Sequence, residues 1–183
     1  MKKLMFTFIC VCLCVMVQAQ NTFSKDGIYY KVNPTQKDVS VAASPSSPYS
    51  GQVIIPAKVE RDSVVYNVTQ IAPSAFEKSG ITSIQLPEGL IEIGESAFRE
   101  CQNLKAVVIP ASVINIEREA FIFCFSLARL TFKGKTRPTI GNYAFGKTLV
   151  KLPGISTGIP ANMAVPNKDT RYKINSSQRF VIY

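Results

Sequence analysis

The sequence predicts an α/β-type repeat solenoid: a short stack of coils between a β-rich amino-terminal cap and an irregular carboxy-terminal cap. Three observations carry this expectation. The dipeptide Ala-Phe recurs at 75–76, 97–98, 120–121 and 144–145, at spacings of 22, 23 and 24 residues. After the first three comes a small residue (Ser79, Cys101, Cys124), then Ile81, Leu104 or Leu127, then an alternating pair: Ile84/Leu86, Val107/Ile109 or Leu130/Phe132. Pro87 and Pro110 close two of these runs, as Pro56 closes the earlier run "QVIIP". A period of this length marks stacked units, none of which can bury its apolar face alone.

Taken in order, residues 1–19 read as an export signal. Lys2 and Lys3 precede an almost wholly apolar run at 4–17, and Val17-Gln18-Ala19 offers small residues for cleavage, so the mature chain is expected to start at Gln20. Cys10, Cys12 and Cys14 lie in that segment. No later stretch approaches the ~18 apolar residues of a membrane span. Residues 20–70, with "DGIYYKV" at 26–32, read as a β-rich cap and first coil.

Residues 71–146 are the repeats. In Leu104-x-x-Val107-x-Ile109 the alternation turns Val107 and Ile109 inward and Ala106 and Val108 outward. Proline has no N–H for a ladder, so it ends the strand and turns the chain. The Ile-x-x-x-Ala-Phe segment returns on the opposite side, alanine leaving room for phenylalanine to enter. Residues 147–183 form the irregular cap, beginning with a Gly/Pro-rich insertion at 147–161.

The Ile…Ala-Phe…Cys…Leu…Ile-Pro series resembles the BspA-type leucine-rich repeats of bacterial surface and secreted proteins. "VVYNVTQIAPSAF" at 64–76 is similar to the entry of such domains, and "MAVPNKDTRYKI" at 163–174 to their closing segment. The resemblance spans roughly residues 26–183 and makes the predicted fold a short leucine-rich-repeat stack. It implies adhesion or ligand binding, and carries no common catalytic residues.

Composition narrows the chemistry. The chain has no histidine and no tryptophan, which removes the commonest general base and transition-metal ligand. No phosphate-binding glycine loop, nucleophile elbow, calcium loop or nucleic-acid module is present. No cofactor, metal site or catalytic residue is expected, and the chain is read as a non-enzyme. Cys101 and Cys124 occupy one slot in successive coils; small apolar core is the favoured reading, with a bridge between coils as the alternative. The carboxylates Glu92, Glu95, Glu100, Glu117 and Glu119 suggest a hydrolase dyad. The repeat instead registers charges between coils: Glu77 with Arg99, Lys78 with Glu100, Glu95 with Arg118.

Two candidate surfaces remain. Residues 20–124 hold nine Lys or Arg against eleven Asp or Glu, whereas residues 125–183 hold ten against Asp169 alone. So basic a half points toward polyanions. Within it Arg129, Thr131, Lys133, Lys135 and Arg137 are the candidate ligand-binding residues, at the end of an outward row running through Gln52, Ile54, Ser83, Gln85, Ala106 and Val108. The expected partner is a protein or an acidic glycan, with host matrix as a source, and the expected location is periplasmic, cell-surface or secreted. The second surface is Ile122, Phe123 and Phe125, which stand where earlier coils have Glu77/Arg99, Lys78/Glu100 and Gln102. Either the following segment covers them as local core, or they form a patch contacting another chain.

Overall fold

The computed structural model describes residues 21–150. The export signal expected at 1–19 and most of the cap expected at 147–183 lie outside the described residues. The chain opens with β1 (Thr22–Lys25), β2 (Ile28–Val32) and β3 (Asp38–Ala42), which pair antiparallel in sequence. β4 (Ser50–Ile54) begins the strand strip, and β5 (Lys58–Arg61) folds as a hairpin onto β6 (Val64–Ile71). Asp62 and Ser63, at φ of 50° and 62°, make the tight turn of that hairpin. Two positive-φ residues are what a two-residue type I′ connection demands.

From β6 onward each coil has two sides. On one, β6 continues in parallel register through β8 (Glu92–Ile93), β10 (Asn115–Ile116) and β12 (Thr139–Ile140), completing an eight-stranded sheet with the cap strands. On the other lie β7 (Gly80–Gln85), β9 (Ala106–Ile109) and β11 (Arg129–Phe132). There β4 pairs with β7 and β9 with β11, as two separate two-stranded parallel sheets. The alternation behaves as read: Val107 and Ile109 are buried, Val108 exposed.

The α component of the expected class is absent among the described residues: no helix forms. The reason is visible in the backbone. Each Ala-Phe is bracketed by two residues four apart in the left-handed region: Ser74 and Lys78, Ser96 and Glu100, Glu119 and Phe123, Tyr143 and Lys147. A right-handed helix cannot propagate through them. The segment becomes overlapping tight turns instead, closed by Ala75 N–H to Ala72 O, Glu77 N–H to Ser74 O and Ser79 N–H to Phe76 O. The alternate N–H groups, of Ser74, Phe76 and Lys78, donate to Glu95, Ala97 and Arg99 O of the next coil. Coils two and three repeat the scheme. Each strained residue costs about 1–2 kcal/mol, and the inter-coil bonds it aims return about 0.5–1.5 each.

The core is a column of rings. Phe76, Phe98, Phe121 and Phe145 stack with centroids 5.0, 4.8 and 5.3 Å apart and planes within 8° of parallel. These spacings match the rise between hydrogen-bonded strands, so each coil contributes one ring per step. Tyr49 closes the column at the amino-terminal end, 4.7 Å from Phe76. Its hydroxyl donates to Ala42 O and accepts from Tyr29 N–H, which ties the cap to the first coil.

Tyr30, 1% exposed in β2, has its phenol pushed from 10 up to about 12, chiefly by burial, with Tyr49 and Asp26 adding. The folded state therefore holds the proton more tightly than the unfolded chain. Stability is intact below pH 10 and falls as pH rises from 10 to 12, by about 2–3 kcal/mol from this group. Tyr30→Phe keeps the ring and should flatten that alkaline limb, read from denaturant unfolding between pH 9 and 12.

Candidate functional site

The strand strip presents its outward side chains in rows across the coils. Ile54 stands opposite Gln85 and Val108 opposite Thr131. On β11, Arg129 and Thr131 face out, while Leu130 and Phe132 turn toward the core and are half-buried. Lys133 N–H donates to Ile109 O, so the register persists one residue past the strand and Lys133 joins the same outward row. At about 3.3 Å per residue, Arg129 and Lys133 sit roughly 13 Å apart with Thr131 between them. Lys135 and Arg137 are exposed in the loop that follows. β11 and the loop that follows it carry all five candidate ligand residues, each of them exposed.

No acidic residue occurs between 125 and 150. Lys133 pairs with Glu88 at 2.8 Å, both side chains more than half exposed. A solvated pair of this kind is worth about 0–1 kcal/mol. It leaves the Lys133 ammonium open to exchange for a stronger anion.

The apolar stretch at 122–125 divides. Ile122 is fully buried against the backbone of Gly146, whose added Cβ would meet Ile122 Cγ1 at 3.2 Å. Phe123 is 7% exposed, and Phe125 is half-buried, its ring 6.0 Å from that of Phe123. Of the three residues read either as local core or as a partner patch, two, Ile122 and Phe123, are inside. The slot only reads as solvent-facing because Glu77 and Arg99 fill it in earlier coils. Both are about one-third exposed, with buried stems and charged heads at the surface.

Phe123 completes a polar knot instead. The Arg99 guanidinium lies 5.6 Å from its ring centre and reaches Glu77 at 3.7 Å, Glu100 at 3.3 Å and Glu119 at 3.1 Å. Glu119 is nearly buried and also takes Arg118 at 3.4 Å; Arg118 in turn holds Glu95. Two of the three expected inter-coil pairs are therefore present. Glu100 turns to Arg99 of its own coil rather than to Lys78. These carboxylates stabilise coil register; that Glu119 is buried does not show in the sequence, because a charged residue in a turn predicts exposure.

The small-residue slot forms a buried column. Cys101 Sγ donates to Phe76 O at 3.0 Å and Cys124 Sγ to Phe98 O at 2.9 Å, while Ser79 Oγ lies 3.3 Å from Cys101 Sγ. Both thiols are free and 0% exposed. Hydrogen bonds from Cys124 and Ser79 pull the Cys101 thiol down, whereas burial pushes Cys124 well up. Thr148 Oγ1 closes the last turn by donating to Phe145 O at 2.8 Å. The two cysteines and the threonine serve alike here, as donors to a phenylalanine carbonyl of the stack.

Comparison with known proteins accords with this geometry. The model of the BspA type leucine rich repeat region matches residues 63–160 in six copies. A leucine-rich repeat protein from Bacteroides ovatus is 31% identical, with a TM-score of 0.61, over 70% of this chain and 34% of that one. One from Bacteroides capillosus is 24% identical (TM-score 0.57) over 72% and 99%. The leucine-rich repeat protein of T. pallidum is 23% identical (0.57) over 68% and 55%. The chain thus spans about a third and about half of the first and third of these proteins. Comparison with curated proteins gave no match.

Proposed function

The chain belongs to the BspA-type leucine-rich repeat family, and from that premise we propose that it is an exported, non-catalytic binding module. It engages an acidic protein or glycan through the basic end of its strand strip. The observation that carries the reading is the outward row Arg129, Thr131, Lys133, continued by Lys135 and Arg137, in a stretch without one carboxylate. Clustered cations on an ordered surface raise the local concentration of a polyanion and its rate of encounter. Repeat stacks commonly bind through an extended face of this kind. Export rests on the composition of residues 1–19. It puts the partner outside the cytoplasm, at a cell surface, in the periplasm or in host matrix.

Retention on immobilised heparin provides the test. The chain should bind at low salt and elute as sodium chloride rises, because exposed charge pairs are screened within about 10 Å at 0.1 M. A variant carrying Arg129→Glu, Lys133→Glu and Arg137→Glu should pass through. Retention that ignores salt, or that survives the charge reversal, contradicts the proposal.

A further inference from the structure

At the amino-terminal end of the strip, a cleft of about 590 Å³ opens between the β1–β2 turn and β4. One wall carries Asp26 and Tyr29, the other Ser50 and Gln52, and Ser47 lies in the loop before β4. Among the described residues, no hydrogen bond engages these five side chains, and Asp26 is the one charged group in the lining. The walls are nevertheless fixed. Asp26 and Gly27, at φ of 52° and 76°, form a tight turn, and Ser44 Oγ accepts from Ser47 N–H at 3.3 Å. The Tyr49 hydroxyl, bonded to Tyr29 N–H and to Ala42 O, ties one wall to the other.

We propose that this cleft seats a neutral saccharide unit, at a site separate from the basic row. Serine and tyrosine hydroxyls and the Gln52 amide both donate and accept, as the hydroxyls of a sugar require of their partners. The Asp26 carboxylate can accept from two neighbouring hydroxyls at once, and such charge-assisted bonds are roughly twice as strong as neutral ones. An anion finds no cation in the lining, so a polyanion held by the basic row is not the occupant. The apolar part of the lining suits the C–H faces of a sugar ring. Tyr29 is half-buried and packs against the core, and Pro48 and Ile54 add to the same lining. A mixed lining thus fits a ligand that is polar at its edge and apolar on its faces. The volume lies within the roughly 300–1,000 Å³ of small-molecule sites. Walls that are already fixed lower the cost of ordering them on binding.

Titration of the full chain with neutral cello-, xylo-, manno- and galacto-oligosaccharides, followed by amide NMR, tests this. At least one should bind at millimolar concentration or below, shifting the amides of 26–29 and 46–52 and leaving those of 129–137 in place. Asp26→Asn and Gln52→Ala should each weaken that binding about five- to tenfold, as the loss of one hydrogen bond does. Asparagine tolerates the positive φ at 26 and Gln52 is exposed, so neither change should move the melting temperature. Both variants should keep their heparin retention, and the chain reversed at 129, 133 and 137 should bind the saccharide as the parent does. The assignment is overturned if no saccharide of the panel binds, or if the shifted amides lie outside the cleft. It is equally overturned if both variants bind as the parent does, which would put the ligand on the edge of β4 away from β7, as for an extended peptide. Binding of spermidine in place of any saccharide, abolished by Asp26→Asn, would make the cleft a cation seat instead. Heparin retention is read separately, so failure of the cleft leaves the basic row standing, and the reverse.

Discussion

Phe98→Ala should lower the stability of the chain by about 3–5 kcal/mol, the loss expected on truncating a fully buried ring. The ring is 0% exposed and lies between Phe76 and Phe121 at 5.0 and 4.8 Å. Its removal takes away transfer energy, leaves a cavity, and deletes two stacking contacts together. Collapse cannot fill the gap easily. The backbone of that turn is held by Phe98 N–H to Ala120 O on one side and by Cys124 Sγ to Phe98 O. Phe98→Leu, which refills part of the volume, should recover a large share of the loss. Urea unfolding of the three chains gives the comparison; equal midpoints for Phe98→Ala and the parent would show that the ring column contributes little.

Arg99→Met should cost about 2–4 kcal/mol, more than is normal for a charge on a surface turn. Breaking a buried pair by removing one partner is severe because the other charge stays behind. Here Glu119 is 6% exposed and Arg99 about one-third exposed, so the effect falls below that of a wholly buried pair. After the change Glu119 keeps only Arg118, which is already engaged with Glu95. Glu77 and Glu100 also lose the cation that offsets their mutual repulsion, and Phe123 loses the group over its ring. Glu119→Gln combined with Arg99→Met should destabilise by clearly less than the sum of the two single changes, since both remove one interaction. Strict additivity in a double-mutant cycle would mean that the pair is not coupled.

What the amino-acid order makes legible is the part of the structure that repeats. The Ala-Phe spacing places four rings in one column, and the Leu-x-x-Val-x-Ile alternation separates inner from outer strip residues. Both follow from volume and hydropathy, which a sequence displays directly. The turn conformation does not. Its left-handed positions are filled by Ser74, Lys78, Ser96, Glu100, Glu119, Phe123, Tyr143 and Lys147, none of them glycine or asparagine. The usual signal for positive φ is therefore missing, and an α/β class is the natural reading of a segment that forms no helix. The candidate site is half legible. A run of cations without acids marks the basic row, but Ile122 and Phe123 can be put inside only once Arg99 and Glu77 are seen lying along the same half-buried slot.

The two sides of the stack are joined unequally. On the turn side, backbone bonds run without interruption from the first coil to the last, through Ser74, Ser96 and Glu119. On the strip side they stop between β7 and β9, where the sheet is divided. Under bending or tension the molecule then has a stiff back and a front that opens at one seam, like a book on its spine.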